Sequence, residues 1–350
     1  MNILIFAGGM GTRLWPLSRR NSPKQFEKLK DNQSTLQMAV ERVRSFGLEN
    51  VYVATAKQYV PLVEASLPDM PRDAIFSEPA RRDLAAAVLL ALLRLKKKGV
   101  TGTTAILWAD HFMDHPDRFV AALQRSEELL QEHDQRFVFL GEKPRFPNHE
   151  LGWIEVGEQT LDGAYAFRSW KYRPEKEACE AMHASGQWFW NPGYFVGTID
   201  FILGLYARLQ PELLSVLREV IDDEKRLDGV YATLPQLHFD KAIVEHIAPE
   251  EGVVLPVDLG WSDPGTLYAL KEALVGSGKE NYTKGLAVLQ DSSDCFVYNE
   301  DAHKLITTIG LEGMIVVNTK DGLLVCPKDK VSELKTVLPT FESLGLEKYL

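Results

Sequence analysis

Near the start of the chain, Gly8-Gly9-Met10-Gly11-Thr12-Arg13 sets three glycines in four positions, and Arg19, Arg20 and Lys24 follow closely. Glycine has no Cβ, so such a stretch lets the backbone turn sharply and approach a ligand. Its N–H groups can cradle phosphate oxygens, and the nearby cations suit the charge of a nucleoside triphosphate. Two other phosphate loops are excluded. No G-x-x-x-x-G-K-[ST] is present, and after Gly9 and Gly11 the third glycine of a dinucleotide fingerprint is replaced by Leu14. A second chemical element is Asp110, in Ala109-Asp110-His111. Hard carboxylate oxygen suits Mg²⁺ bound together with phosphates; a helix cap or turn residue is the structural alternative. His111 and His115 lack a ligand set at transition-metal spacing.

These side chains need elements to hold them. Residues 3–7 are an apolar run with the character of a buried strand, followed by a capped helix over 38–46 and a second strand over 51–55. Strand, helix and strand in that order predict a doubly wound α/β domain with a parallel sheet. Helices are expected at 58–67, 84–98, 118–133, 175–185 and as one long stretch over 199–224. Strands are expected at 75–77, 104–108, 136–141, 165–172 and 253–257. The strand over 104–108 delivers Asp110 at its carboxyl end, where open α/β sheets place ligands. From about residue 276 the texture changes to short β runs at 286–289, 295–298, 305–309, 314–317 and 323–326, closed by a helix over 330–338.

The chain has 350 residues and a formal net charge of −10. That balance argues against a general binder of nucleic acid or acidic membrane. Cys179, Cys295 and Cys326 are too few and too scattered for a disulfide framework or a zinc site. Met1 leads straight into the first strand and no apolar run reaches membrane-spanning length, so a cytoplasmic protein is expected.

The composite G-G-x-G-T-R-L-x-P-L-[ST]-x-x-x-P-K resembles the signature of the sugar-phosphate nucleotidyltransferases. With Trp15 and the ending Pro23-Lys24-Gln25-Phe26, it is similar to the mannose-1-phosphate guanylyltransferase branch. The resemblance implies a Rossmann-like, mainly parallel sheet flanked by helices. It places a nucleotidyltransferase catalytic domain over 1–275 and a small β-rich domain over 276–350. It implies GTP and mannose 1-phosphate as substrates, Mg²⁺ as cofactor, no nucleic-acid or membrane partner, and a homodimer as the assembly to look for. By the same resemblance Arg13 and Lys24 are catalytic, and Ala7, Gly8, Gly9, Gly11, Thr12, Glu78 and Asp83 hold the nucleotide. Gly152, Glu155 and Asn191 hold the sugar, from Gly152-Trp153-Ile154-Glu155 and Trp190-Asn191-Pro192-Gly193. Asp110 and Asp263 hold the metal, the latter from Asp258-Leu259-Gly260-Trp261-Ser262-Asp263-Pro264-Gly265; an Asp-Pro-Gly turn is its structural alternative.

Two departures matter. The family's E-K-P lysine for the sugar phosphate is replaced by Lys171-Tyr172-Arg173-Pro174, leaving Lys171 and Arg173 both open. The family's R-N-T-A-P near the nucleotide becomes Arg82-Asp83-Leu84-Ala85-Ala86. Other hexose 1-phosphates, other nucleotides and a silent regulatory relative are the rival readings.

Overall fold

The computed structural model describes residues 1–9, 11–160, 163–276 and 278–350; Met10, inside the glycine stretch, lies outside them. The chain folds into two compact units interleaved in sequence. One comprises Met1–Gly8, Ala39–Ala109 and Met113–Trp261; the other comprises Gly9–Met38, Asp110–Phe112 and Ser262–Leu350.

The first unit is built on a ten-stranded sheet. From one edge the order is Ile75–Glu78, Val51–Ala56, Asn2–Phe6, Thr103–Trp108, Phe195–Thr198, Phe137–Glu142, Gly252–Val257, Tyr165–Tyr172, Gly152–Gln159 and Trp188–Asn191. The first four strands are parallel, with Ile3 paired to both Val51 and Ala105. Phe195–Thr198 then runs antiparallel to both its neighbours. Strand Asn2–Phe6 is buried along its whole length, as a strand covered on both faces requires. Helix Asp83–Lys97 carries ten buried residues between Ala85 and Leu95. Each large aliphatic among them contributes about 1.5–3 kcal/mol by leaving water.

Several expected elements change for local reasons. The helix expected over 199–224 breaks into Ile199–Leu209 and Pro211–Val220. Pro211 lacks an N–H and forces Gln210 out of helical geometry, to φ −136 and ψ 54. Pro116 moves the next expected start forward, opening the helix Pro116–Glu132. The helix expected over 38–46 is Thr35–Arg42, because Ser34 and Gln37 form a reciprocal capping box. Ser34 Oγ accepts from Gln37 N at 3.2 Å and Gln37 Oε1 accepts from Ser34 N at 2.9 Å. Strands Gly152–Gln159, Trp188–Asn191 and Phe195–Thr198 carry no clean alternation and were not expected as strands.

In the second unit, Tyr282–Lys284, Phe296–Asn299 and Met314–Asn318 stack in parallel, and Leu323–Pro327 closes the sheet antiparallel. Ala287–Gln290 pairs in parallel with Ile306–Ile309. Asn299 and Asn318 face each other in register, and Asn318 Nδ2 donates to Asn299 Oδ1 at 2.9 Å, a buried amide pair satisfied across strands. One apolar core joins Phe296, Tyr298, Ile315 and Val317 to Leu14, Trp15, Leu17, Leu29 and Leu267. The segment after the glycine stretch therefore shares its core with the C-terminal strands. Trp15 Nε1 donates to the Tyr349 carbonyl at 2.7 Å.

Candidate active site

Within the second unit, the glycine stretch folds back on the residues that follow it. Gly11 has φ +58, and a Cβ there would lie 2.6 Å from Ser18 Oγ and 3.0 Å from Lys24 Cγ, so only glycine fits. Thr12–Leu14 forms a short 3₁₀ turn. Lys24 N donates to Ser18 Oγ at 2.9 Å, and Gln25 Nε2 donates to the Gly9 carbonyl at 3.1 Å. These contacts fix the Lys24 stem, and the residue is 8% exposed.

The Lys24 ammonium meets both expected metal carboxylates. Its Nζ lies 2.9 Å from Asp110 Oδ2 and 3.7 Å from Asp263 Oδ1. Asp110 and Asp263 are 153 residues apart in sequence and converge on one cation. Burial acts to lower the Lys24 pKa, but Asp110 and Asp263 outweigh it, and the group sits above its ordinary value. Burial likewise acts to raise Asp110, and Lys24 and His111 outweigh it, holding the carboxyl well below the usual range. Phe112 and Ser262 exchange backbone hydrogen bonds, which ties the Asp110 and Asp263 segments together. Arg13 is exposed, and its guanidinium lies over Gly265, where a Cβ would stand 3.2 Å from Nη1. The other early cations do structural work instead. Arg19 pairs with Asp321 at 2.6 Å and donates to Thr319 Oγ1, and Arg20 pairs with Glu342.

The donor set fits a magnesium ion. Mg²⁺ favours one or two protein carboxylates, with substrate phosphates and water completing its shell. Two carboxylates that already share one cation meet that requirement. Among the described residues no group of three or more His, Cys, Asp and Glu could hold a metal.

In the first unit, Ala7 is tied into the sheet, its N–H donating to the Ala54 carbonyl and its carbonyl accepting from Thr55 Oγ1. Gly8 lies beside Glu78, whose Oε1 would be 3.7 Å from a Cβ on Gly8. Glu78 Oε2 accepts from Tyr231 Oη at 3.0 Å, and burial pushes the Glu78 carboxyl up to about 7. Asp83 is occupied locally. Its Oδ1 accepts from Leu84 N at 2.8 Å, and His238 Nδ1 lies 3.3 Å from Oδ2.

The expected sugar residues fall on two faces of the sheet. Glu155 pairs with Ser169 and Trp188 in register, and its Oε2 accepts from Ser169 Oγ at 2.6 Å. Lys171 shares that face, its ammonium 5.6 Å from the Trp188 ring centre. Gly152 pairs with Asn191 and Tyr172 on the other face. Asn191 Oδ1 accepts from Gly193 N at 2.9 Å, which leaves its Nδ2 donors for another partner. The Trp170 indole N–H, close to Gly152, is buried without an acceptor. Arg173 has φ +47, donates from Nε to the Glu150 carbonyl and stacks on Tyr172.

Residues 2–279 match the nucleotidyl transferase family, and residues 285–340 match the MannoseP isomerase/GMP-like beta-helix domain. The chain belongs to the nucleotidyl transferase family. A Vibrio cholerae serotype O1 protein provisionally named mannose-1-phosphate guanylyltransferase is 30% identical to this nucleotidyltransferase over 99% of its chain and 75% of the relative. An Escherichia coli mannose-1-phosphate guanylyltransferase is 29% identical over 95% of this chain and 72% of the relative. A crystal structure from Thermus thermophilus, described as a mannose-1-phosphate geranyltransferase, superposes with a TM-score of 0.88. It is 28% identical and covers 97% of this chain and 99% of its own. The nucleotidyltransferase is thus an enzyme acting on a nucleotide and a sugar phosphate, and among the described residues no helix is long and apolar enough to cross a membrane.

Sequence reasoning passed over Tyr231, Ser18 and Glu142. Ser18 had a signal, as the [ST] of the composite motif. Tyr231, 153 residues from Glu78, had none. Glu142 is fully buried and accepts from Leu259 N at 2.9 Å and Trp261 N at 3.2 Å, pinning the turn before Asp263.

Proposed function

We propose that this nucleotidyltransferase joins GTP and α-D-mannose 1-phosphate to give GDP-mannose and pyrophosphate, with Mg²⁺ as cofactor. The observation that carries the reading is the convergence of Asp110 and Asp263 on the Lys24 ammonium. The names of the relatives support the choice of GTP and mannose, as do Trp15 and Gln25-Phe26 in the opening motif.

A phosphate oxygen of the sugar phosphate attacks the α-phosphorus of the nucleotide, and the bond from that phosphorus to the pyrophosphate oxygen breaks. No protein nucleophile is required. Catalysis lies in bringing two anions together and in meeting charge as it develops. Lys24 neutralises the α-phosphate and the incoming phosphate oxygen. Arg13 neutralises the departing pyrophosphate. Gly8, Gly9, Gly11 and Thr12 line the phosphates with backbone. Asp110 and Asp263 would hold Mg²⁺, which supplies Lewis-acid charge and a template for the phosphates. Gly152 with Asn191 lines one face of the sheet and Glu155 the other, so one of these two sets binds the sugar. Lys171 or Arg173 takes its phosphate.

Pyrophosphate release tests the reading, with GTP, ATP, UTP, CTP and dTTP each offered with mannose, glucose and galactose 1-phosphates. Fastest release with GTP and mannose 1-phosphate supports it. Release with another sugar or nucleotide in preference refutes the substrates and leaves the fold untouched.

A further inference from the structure

Tyr231 is a fully buried residue in the last turn of helix Glu224–Tyr231, and its hydroxyl has a defined task. It donates to Glu78 Oε2 at 3.0 Å, while Glu78 Oε1 faces Gly8. The main chain of the same tyrosine accepts from Arg82 Nε at 3.3 Å. One residue thus holds both the Glu78 carboxylate and the turn before helix Asp83–Lys97. Glu78 and Gly8 stand at the carboxyl ends of parallel strands, the side of such sheets where ligands bind.

The Watson–Crick edge of guanine presents two adjacent donors, N1–H and N2–H. Guanine also carries the O6 acceptor, but adenine, uracil and cytosine each present a donor at only one position of that edge, never two adjacent ones. An ionised carboxylate has about four lone-pair positions. Tyr231 takes one and leaves an edge that accepts two adjacent N–H groups. Asp83, the other carboxylate expected at the base, is already engaged by Leu84 N and His238.

We propose that Tyr231 is a positioning residue for nucleobase selection, orienting the Glu78 carboxylate so that it receives the two donors of guanine. This rests on the reading of GTP as substrate. The groups facing Glu78 are the Tyr231 hydroxyl, Arg81, Arg94 and Asp83. Burial raises the carboxyl; Tyr231, Arg81 and Arg94 lower it; Asp83 raises it. Losing the Tyr231 bond therefore raises it further, and guanine binding then demands a higher pH.

The test is equilibrium binding of GTP and of inosine triphosphate, which lacks N2–H, to the full chain across pH with magnesium present. Wild type, Tyr231→Phe and Glu78→Gln are compared. The wild type is expected to prefer GTP over inosine triphosphate by about tenfold and to gain GTP affinity as pH rises through about 7. Tyr231→Phe keeps the ring and its packing. It should narrow the preference by roughly threefold or more and move the pH midpoint up by roughly one unit. Glu78→Gln should abolish the pH dependence. A Tyr231→Phe protein with unchanged preference and midpoint overturns the proposal, even if its turnover falls. A wild type that binds another nucleotide better than GTP refutes the substrate reading instead.

Discussion

A single side chain can decide the chemistry here because so few are placed to act on phosphate. Of the four cations in the opening stretch, Arg19 and Arg20 pair with Asp321 and Glu342, whereas Arg13 and Lys24, the latter beside Asp110 and Asp263, are the two proposed to meet substrate. Arg13→Ala should lower kcat/KM at least about tenfold, or 1.36 kcal/mol of transition-state stabilisation, in a pyrophosphate-release assay, with the thermal midpoint unchanged. Normal turnover would remove Arg13 from the mechanism. Glu78 supplies a pH signature. Its folded value is raised, so the unfolded chain ionises first, and the empty protein loses stability as pH rises from about 4.5 to about 7. Glu78→Gln should flatten that slope and stabilise the empty protein above pH 7 by on the order of 1–3 kcal/mol in urea unfolding. Equal stability of the two proteins at high pH would contradict the raised value. At this scale the sequence marked the opening motif and the two aspartates that approach Lys24, because each lies in its own contiguous motif. It could not reveal Tyr231 beside Glu78, since nothing local in the chain marks a contact made across 153 positions.

At the level of elements, strand placement was legible wherever a run was apolar throughout, as at Asn2–Phe6 and Val51–Ala56. It failed at Gly152–Gln159 and Trp188–Asn191. There, fully buried Trp153 and Trp190 are interspersed with glycine and partly exposed polar residues, so no uniform apolar run marks the strands. Register divides the proposed sugar residues between two faces. Gly152 and Asn191 share a face, while Glu155 and Lys171 share the opposite one, a distinction that motif spacing does not contain. Glu142 anchors the turn through Leu259 and Trp261. Glu142→Leu would leave two backbone N–H groups buried without acceptors, which should cost about 2–4 kcal/mol of stability by denaturant unfolding. A change within about 0.5 kcal/mol, typical of ordinary surface substitutions, would show that the turn is held elsewhere.

For the molecule as a whole, the shift in texture near residue 276 was visible, but the shared packing was not. Leu14, Trp15, Leu17 and Leu29 lie in one core with Phe296, Tyr298, Ile315 and Val317. Apolar residues announce that they are buried, not which distant segment buries them. Deleting residues 276–350 should therefore expose the core around the Lys24 segment and abolish activity; an active, protease-resistant truncation would mean that core is dispensable. The convergence of Asp110, Asp263 and Lys24 is the claim on which the proposed chemistry stands, and metal binding tests it most directly. Mn²⁺ titration by electron paramagnetic resonance, in the presence of GTP, compares wild type with Asp110→Asn and Asp263→Asn. Each substitution is expected to weaken Mn²⁺ binding at least about tenfold while the fold, by circular dichroism, is kept. Unchanged Mn²⁺ affinity in both variants would contradict a metal held by these two carboxylates.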